Sequence, residues 1–368
     1  MNSSQQGVIQ APKRLLIRGV NWLGDAVMST PALLRLRQAL PNTHIAILTH
    51  AKLADLWKNH PAINQVLTFN PGDTIFSVSR NLRRWHFDAA LAFPNSHRSA
   101  LELWFAGIPI RAGLSKFGRN LFLTHPIPPP PFLRPMQKRT TRQIRAIISS
   151  NIEPSPAYSI QNHHSLLYLH LVSIFGADSR PIQPMLEVTP EELDAFRSRF
   201  AIENKLVLGI CPGAEYGPAK RWPPDYFKKT AGTVHRNSGC LWLIFGGAAD
   251  EETASYIASG LPNGSCINLA GKTSLRELCA ALKLCRIVLT NDSGPMHVAA
   301  AVGTRVIALF GSTSPELTGP GLPGDSNHII MRANVSCSPC FRRSCPIDYR
   351  CLKNITPEQL VPVILKSL

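Results

Sequence analysis

The strongest chemical signal in the sequence is the stretch TNDSGPMHVAAA, residues 290–301, which directly follows an apolar segment. Asp292 or Ser293 can cap a helix that opens near Pro295, because short polar side chains accept hydrogen bonds from the first turn. The N–H groups and positive end of such a helix attract anions, and His297 would lie about one turn further along. The pattern predicts an anion site, although an ordinary capped helix with a partly buried histidine would have the same sequence.

Two further loops follow apolar segments in the same half of the chain. The first, CPGAEYGPAKRW at residues 211–222, combines glycine and proline with Lys220 and Arg221, whose cations suit phosphate groups. Gly246 and Gly247 form the second. Neither the G-x-G-x-x-G nor the G-x-x-x-x-G-K-[ST] fingerprint occurs. Together the three loops therefore indicate a nucleotide site of another kind.

The N-terminal half carries one comparable loop, RGVNWLGDAVMSTP at residues 18–31. Asp25 follows Gly24 at the start of a helical pattern, where an aspartate is usually a cap or an early-helix charge. Asp25 is a candidate functional residue because of where its loop would lie. In a chain of two α/β domains, a loop after the first strand would face the loops of the second domain.

Four cysteines near the C-terminus are spaced C-x₂-C-x₄-C-x₅-C, at Cys337, Cys340, Cys345 and Cys351. Four thiols could bind zinc tetrahedrally, but the later pair lacks a second C-x₂-C spacing. Reduced thiols packed in a local loop, or a disulfide formed on purification, would account for the same residues. We therefore expect no metal at this segment.

Apolar segments alternate along the chain in a way that would position these loops. The predicted strands cover residues 14–18, 44–49, 65–69, 88–93, 206–210, 241–245, 266–269, 286–289 and 306–310. The predicted helices cover residues 24–40, 74–85, 96–106, 140–149, 164–175, 224–236, 250–259, 275–284 and 295–301. A proline-rich stretch at 126–135 excludes helix and central strand. The alternation predicts two doubly wound domains whose ligands bind beyond the carboxyl ends of the strands.

Length and composition agree with two globular domains. The chain has 368 residues, 44% of them hydrophobic and 17% charged, which excludes a disordered protein. The N-terminus lacks a secretory pattern, and no apolar run is long enough to span a bilayer. Lys and Arg exceed Asp and Glu by 16. Such an excess attracts nucleic acid, anionic membranes or phosphorylated molecules, or simply gives a basic surface.

Three stretches together resemble the ADP-heptose:lipopolysaccharide heptosyltransferase family, most closely its heptosyltransferase II branch: RGVNWLGDAVMSTPAL, CPGAEYGPAKRWP and TNDSGPMHVAAAVGTRVIALFG. The tail CSPCFRRSCPIDYRC also looks like tails of that branch, so the resemblance runs from about Arg14 to the C-terminus. It implies an α/β GT-B fold, with two Rossmann-like doubly wound domains facing a central cleft. It also implies an inverting, metal-independent glycosyltransferase that uses ADP-heptose and no cofactor.

The resemblance also implies roles for individual residues. It makes Asp25 the catalytic residue, and it places donor contacts on Asn21, Gly24, Lys220, Asp292, Ser293, Gly294 and His297. Asp250 and Glu251 both qualify as the acidic residue that binds the ribose, and we assign Glu251. Local charge alone suggests Arg111, Lys116 and Arg119 as acceptor contacts.

The resemblance finally predicts partners and domain boundaries. Besides the ADP-sugar donor, we expect an anionic lipid A and inner-core acceptor, and peripheral contact of a cytoplasmic enzyme with the inner membrane, but no nucleic acid. The predicted domains are an acceptor-side domain at 1–185, a linker at 186–204, a nucleotide-sugar domain at 205–335, and a cysteine-rich segment with a C-terminal helix at 336–368.

Two alternatives stay open at this point. The motifs recognise a diphosphate better than a sugar, so a GT-B transferase with another nucleotide-diphosphate sugar or acceptor glycan fits as well. A nucleic-acid-binding protein with a zinc tail would use the charge and the cysteines. Against it, the basic residues are scattered and no recognised binding module is visible.

Overall fold

The computed structural model describes residues 7–150, 158–202 and 205–368 and divides into two compact units. Unit 1 comprises Met1–Leu133 and His164–Pro184, and unit 2 comprises Arg134–His163 and Met185–Leu368. The chain thus passes from unit 1 into unit 2 and back before the second sheet begins. The domain boundaries given above stay a prediction, and the first six residues of the N-terminal segment lie outside the described residues.

Unit 1 is built on a six-stranded parallel sheet in the order β3-β2-β1-β4-β5-β6. Its elements are β1 Arg14–Arg18, α1 Leu23–Met28, α2 Thr30–Ala39, β2 His44–His50, β3 Gln65–Phe69, α3 Ile75–Arg83, β4 Ala89–Ala92, α4 His97–Phe105, β5 Ile110–Leu114, β6 His125–Ile127 and, after the excursion into unit 2, α6 His164–Val172. The central strands β1 and β4 are apolar and almost wholly buried, as strands covered on both faces are.

The single helix predicted at residues 24–40 is wrong, because α1 and α2 are separate helices that meet at Ser29. Pro31 has no N–H to continue the first helix but suits the first turn of a second one. The hydroxyls of Ser29 and Thr30 donate to the carbonyl oxygens of Ala26 and Val27 at 2.7 and 2.8 Å. These bonds occupy acceptors at the end of α1, and the chain continues as a second helix, α2.

Two strands of unit 1 have no counterpart among the predicted ones. Strand β5 has the sequence IRAGL, and its arginine and glycine hide the strand pattern. Strand β6 contains Pro126 and lies at the edge of the sheet. An edge strand tolerates proline because one side of it needs no partner. The proline therefore excluded a central strand correctly, but it did not exclude an edge strand.

Unit 2 contains a second six-stranded parallel sheet, in the order β12-β11-β10-β7-β8-β9. Its elements are α5 Thr141–Ser149, α7 Pro190–Arg199, β7 Val207–Cys211, α8 Pro224–Ser238, β8 Leu241–Ile244, α9 Glu251–Ala258, β9 Cys266–Asn268, α10 Leu275–Leu284, β10 Ile287–Asn291, α11 Gly294–Ala301, β11 Arg305–Phe310, α12 Pro315–Thr318, β12 Ile329–Arg332, α13 Arg350–Lys353 and α14 Pro357–Lys366. Both units are doubly wound α/β structures of the Rossmann type, as predicted.

The core of unit 2 joins the sheet to the C-terminal helices. Trp222, Phe227 and Trp242 are almost fully buried in one cluster with Leu352 and Leu360 of α13 and α14. The indole N–H of Trp222 donates to the carbonyl oxygen of Ile355 at 2.8 Å. The C-terminal segment is therefore part of the structure that supports the loop ending at Trp222.

None of the helices in the described ranges is long and apolar enough to cross a membrane.

Candidate functional site

The order of strands in unit 2 places a switch point between β7 and β10. The chain proceeds outward from β7 to β9 on one side and from β10 to β12 on the other. Ligands of doubly wound sheets bind at such a point, beyond the carboxyl ends of the strands. The loops that follow β7 and β10 are the two that carry the strongest signals in the sequence.

These two loops are joined by an ion pair. Lys220, at the end of a 3₁₀ turn in the β7 loop, places its Nζ 2.6 Å from Oδ2 of Asp292, the first residue after β10. The same Asp292 oxygen accepts a hydrogen bond from the Thr313 hydroxyl, in the loop after β11. The Lys220 and Asp292 side chains are only 13% and 3% exposed, so water screens the pair weakly. Three strand-end loops thus converge on one carboxylate and one cation.

Asn291 ties the same loops together through the backbone. Its side-chain oxygen accepts from the N–H of Trp222 at 3.0 Å, and its amide donates to the carbonyl oxygen of Pro212 at 2.6 Å. Asn291 is fully buried. We assigned no role to this residue from the sequence, although a polar residue at the end of a buried strand could have indicated one.

The helix that follows Asp292 begins as predicted, but its N-terminus is not capped by a side chain. Ser293 occupies the N-cap position in extended conformation and makes no capping hydrogen bond. The Asp292 carboxylate is turned to Lys220 and Thr313 instead. The prediction that Ser293 or Asp292 caps this helix is therefore wrong. The Asp292 carboxylate is bound in the ion pair with Lys220 and is not directed to the first turn of the helix. His297 lies in the next turn of α11 and is buried.

The third glycine loop holds Asp250. Its Oδ2 accepts from the N–H of Gly247 at 3.0 Å. A Cβ on Gly213 would lie 2.5 Å from that oxygen, and a Cβ on Gly246 would lie 2.7 Å from the Asp250 Cβ. Both glycines are thus required for the approach of the carboxylate. Glu251, the next residue, is exposed in the first turn of α9.

The cysteine-rich segment is bonded to two of these loops. The N–H groups of Cys340 and Phe341 donate to the carbonyl oxygen of Ser312 at 3.0 and 2.7 Å. The N–H of Ala219 donates to the carbonyl oxygen of Arg343 at 2.9 Å. The segment therefore supports the turn that carries Lys220 and the loop that carries Thr313.

Four cysteines of this segment form no disulfide and line one small cavity: Cys337, Cys340, Cys345 and Cys351. Burial, with a smaller contribution from the neighbouring thiols, raises the pKa of Cys351 to about 12. The N–H of Tyr349 donates to the Cys345 sulfur at 3.3 Å. Within residues 7–150, 158–202 and 205–368, no group of three or more His, Cys, Asp or Glu side chains is arranged to hold a metal ion.

Unit 1 places Asp25 in the first turn of α1, beside Tyr168 of α6. Trp22 occupies the N-cap position of that helix, so the Asp25 side chain is not its cap. Burial and the adjacent, hydrogen-bonded Asp25 carboxylate raise the pKa of Tyr168 well above its ordinary value. The phenol therefore stays protonated and donates its hydrogen bond to the carboxylate, which is half-buried. The sequence offered no signal for this pairing.

A buried ion pair holds the loop before Asp25. The Arg18 guanidinium donates to Glu102 at 2.8 Å, to the carbonyl oxygen of Gly19 at 2.6 Å and to the Asn21 side chain at 3.1 Å. Glu102 is fully buried and also accepts from Arg98. Arg18 thus connects strand β1, helix α4 and the loop that leads to Asp25.

Of the suggested acceptor contacts, Arg119 is a structural residue. It is fully buried, and its guanidinium donates to the carbonyl oxygens of Pro94, Ser96 and Leu114. Burial lowers the pKa of Arg119 to about 10. A side chain enclosed in this way does not reach a large acceptor, because each of its three nitrogens is bound to a backbone carbonyl around it.

Arg111 and Lys116 differ from Arg119 in exposure. The Arg111 guanidinium donates to the carbonyl oxygens of Phe122 at 2.8 Å and Ile108 at 2.5 Å, and it is half-buried. Lys116 is exposed, and its backbone N–H donates to the Asn120 side chain at 2.9 Å. The ammonium group of Lys116 is therefore directed to solvent, while part of the Arg111 guanidinium is bound to the backbone carbonyls of Ile108 and Phe122.

Comparison with known proteins places these features in one family. Residues 75–350 match the profile of glycosyltransferase family 9 (heptosyltransferase). Lipooligosaccharide heptosyltransferase 2 of Haemophilus influenzae is 32% identical over 320 residues, which cover 83% of this chain and 85% of that protein. Lipopolysaccharide heptosyltransferase 2 of Salmonella typhimurium is 30% identical, with the same coverages. The structure of ADP-heptose lps heptosyltransferase II of E. coli superimposes with a TM-score of 0.76 and 26% identity, and it covers 96% of this chain and 98% of that one.

Proposed function

This chain belongs to glycosyltransferase family 9, the heptosyltransferases, and from that premise we propose that it transfers heptose from ADP-heptose to the inner core of lipopolysaccharide. The convergence of Lys220, Asp292 and Thr313 at the switch point of unit 2 is the observation that carries the proposal. Relatives named lipooligosaccharide or lipopolysaccharide heptosyltransferase 2 align along more than four-fifths of the chain, which supports the proposal.

The donor diphosphate would bind at the carboxyl edge of the unit 2 sheet. Lys220 supplies a cation that the Asp292 carboxylate holds in place. The uncapped start of α11 supplies the positive end of a helix, at Ser293 and Gly294. Both groups stabilise the negative charge that develops on departing ADP, and neither requires a metal. His297, one turn further along α11, is proposed as a further donor contact.

The ribose is assigned to Glu251. The neighbouring Asp250 carboxylate is held by Gly247 and enclosed by Gly213. Glu251 is exposed beside the same loop, so its carboxylate remains able to accept hydrogen bonds from ribose hydroxyls. Asn21, in the β1 loop of unit 1, and Gly24, in the first turn of α1, are proposed as additional donor contacts.

The chemical step would use Asp25 as the general base. An acceptor hydroxyl oxygen attacks the anomeric carbon of the heptose, and Asp25 takes the hydroxyl proton. The bond between that carbon and the phosphate oxygen breaks, so ADP leaves with the electron pair. Attack from the face opposite the leaving group inverts the configuration. A positioned carboxylate contributes typically about 10²–10⁴ to such a rate.

Tyr168 provides a test of how Asp25 is held. Tyr168→Phe removes the phenol that donates to the carboxylate, and the ring stays packed on Phe93, 5.2 Å between centroids. A hydrogen bond to the charged form of an acid favours that form. We expect the acidic limb of the pH profile of kcat/KM to move to higher pH and kcat to fall by about tenfold, since one such bond contributes about 1.5 kcal/mol.

The matched control for that variant is Tyr158→Phe, a tyrosine of unit 2 whose hydroxyl donates to the carbonyl oxygen of Pro135. Its pH profile should equal that of the unaltered enzyme. An unchanged acidic limb in Tyr168→Phe, with the protein folded normally, would mean that the phenol does not act through Asp25.

The acceptor and the cellular location are the remaining parts of the proposal. We propose an anionic lipid A and inner-core acceptor, reached by a cytoplasmic enzyme at the cytoplasmic face of the inner membrane. The formal excess of 16 basic residues supports attraction to such a surface. Lys116 and, with part of its donors, Arg111 are proposed as contacts to acceptor phosphates or carboxylates.

Incubation with a panel of nucleotide-diphosphate sugars tests the donor. Release of nucleoside diphosphate should require ADP-heptose together with a heptose-accepting inner-core glycan, and should be about tenfold or more slower with UDP- or GDP-sugars, because mismatched bases leave buried polar groups unpaired. Equal release from another nucleotide sugar would instead favour the alternative, a transferase of the same fold with a different donor.

A further inference from the structure

Unit 1 exposes a row of large apolar side chains along α3, α4 and the turn Arg119–Phe122. Ring centroids lie 4.8 Å apart for Phe76 and Phe105, 4.7 Å for Trp104 and Phe105, and 5.7 Å for Trp104 and Phe122. The rings therefore touch in one continuous series across three elements. Phe76 is 63% exposed and Trp104 is 44% exposed.

The row extends into the β5–β6 connection. Leu121, next to Phe122, is 81% exposed, and Phe117 is 98% exposed. The carbonyl oxygen of Phe117 lies 3.2 Å from the His97 ring, at the start of α4, which ties that loop to the same helix. Side chains of this size are rarely left in water side by side unless something covers them.

Basic residues outnumber acidic ones in the segment that carries this row. Between Thr74 and Phe122, a segment that is described throughout, the sequence contains seven Lys or Arg and two Asp or Glu. Of the two acids, Glu102 is fully buried between Arg18 and Arg98. Asp88 is half-buried and accepts from a backbone N–H. The exposed charges of the segment are therefore all positive.

We infer that this aromatic–basic face, formed by Phe76, Trp104, Phe117 and Leu121 with Arg80 and Arg84, docks on an anionic lipid bilayer. Aromatic and aliphatic side chains enter the headgroup region, and arginines bind the phosphates there. The inference deepens the proposed function, since a lipid-linked acceptor requires the enzyme to work at a membrane, but the docking itself needs neither donor nor acceptor. A protein partner would be expected to present acids to this face as well as apolar groups, so a second copy of this basic chain is the weaker candidate.

Cosedimentation of the full chain with vesicles tests the inference. Vesicles of phosphatidylglycerol mixed with phosphatidylethanolamine should bind the protein at low salt, and phosphatidylcholine vesicles should bind it at least about tenfold more weakly, because each basic residue near an anionic surface contributes about fivefold. Raising the salt concentration should reduce the difference.

Two pairs of substitutions separate the apolar and the charged contributions. Phe117→Ser with Leu121→Ser should lower the partition coefficient about tenfold or more for anionic vesicles and should also abolish residual binding to phosphatidylcholine. Arg80→Gln with Arg84→Gln should lower only the binding to anionic vesicles, by about tenfold or more. All four side chains are exposed, so each pair should leave the thermal unfolding temperature unchanged.

Matched controls come from unit 2. Ile160→Ser removes another exposed apolar side chain, and Arg142→Gln with Arg145→Gln removes two exposed arginines of α5. Neither should alter vesicle binding. An equal loss in the double arginine control would show that net charge, not this face, drives binding, and would overturn the inference.

Other outcomes are also decisive. Failure of the unaltered protein to bind anionic vesicles overturns the inference, as does sedimentation of a dimer that the Phe117 and Leu121 substitutions dissociate. Transfer to a delipidated inner-core acceptor should be unaffected by either pair of substitutions. If that transfer fails in the unaltered protein while vesicle binding follows the expected pattern, the proposed function is wrong and the docking face stands.

Discussion

Asp25→Ala should reduce kcat for heptosyl transfer by about 10²–10⁴-fold while the Kd for ADP changes by less than about twofold. The reason is that the acceptor hydroxyl needs a base at the moment its oxygen attacks, whereas the groups assigned to the diphosphate belong to unit 2. Asp25 lies in the first turn of α1 and is half-buried, so alanine there should be tolerated by the helix. Single-turnover transfer and calorimetric titration with ADP measure the two quantities.

Two further variants make the test of Asp25 more specific. Asp25→Asn keeps the shape of the side chain and an oxygen that accepts from Tyr168, but it loses the base, so it should be as inactive as Asp25→Ala. Asp55→Ala removes a half-buried aspartate of the same unit, which pairs with Lys58, and should retain full activity. Normal turnover of Asp25→Asn would exclude the carboxylate from the mechanism.

The order of strands and helices was largely predictable because parallel sheets bury both faces. Strands such as β1, β4, β7 and β10 read as short apolar runs, and each is followed by a loop and a helical pattern. The strands that were not predicted are β5, β6 and β12, which lie at or next to the sheet edges. There β5 contains arginine and glycine, β6 contains proline, and neither has an unbroken apolar run.

The positions of the candidate residues could be predicted from the strand pattern in the same way, but the residues that they contact could not. Residues that follow a buried strand, such as Asp292 and Lys220, could be placed at one sheet edge from the sequence alone. Thr313 and Tyr168 could not, because their contacts depend on how distant elements pack. Tyr168 meets Asp25 only because α6 returns to unit 1 after the chain has passed through part of unit 2.

Local charge was the least reliable basis for predicting the role of a residue. Arg119 and Lys116 lie three residues apart in one loop, and local charge suggested both as acceptor contacts. In the structure Lys116 is exposed, whereas Arg119 is enclosed and bound to backbone carbonyls. Gly113 leaves the space for that guanidinium, since a Cβ there would lie 2.9 Å from it. The sequence lists the cations, but only packing determines which of them face solvent.

Lys220→Ala should raise the Kd for ADP-heptose by about 10–100-fold, because a hydrogen bond from a charged donor to a phosphate contributes about 1.5–3 kcal/mol. The same change leaves the Asp292 carboxylate, 3% exposed, without its cation. An unpaired buried charge is costly, so the thermal unfolding temperature should also fall. Loss of affinity and loss of stability must therefore be measured separately, by titration at a temperature where the variant is folded and by thermal denaturation.

The double variant Lys220→Ala with Asp292→Asn separates the two effects. It removes the unpaired carboxylate, so stability should recover, while Thr313 can still donate to the side-chain oxygen at position 292. Affinity for ADP-heptose should remain low, because the Lys220 cation is still missing. Recovery of affinity together with stability would show that Lys220 only neutralises Asp292. A Kd unchanged in Lys220→Ala itself would remove the lysine from donor binding, and the uncapped helix end at Ser293 would then have to hold the diphosphate alone.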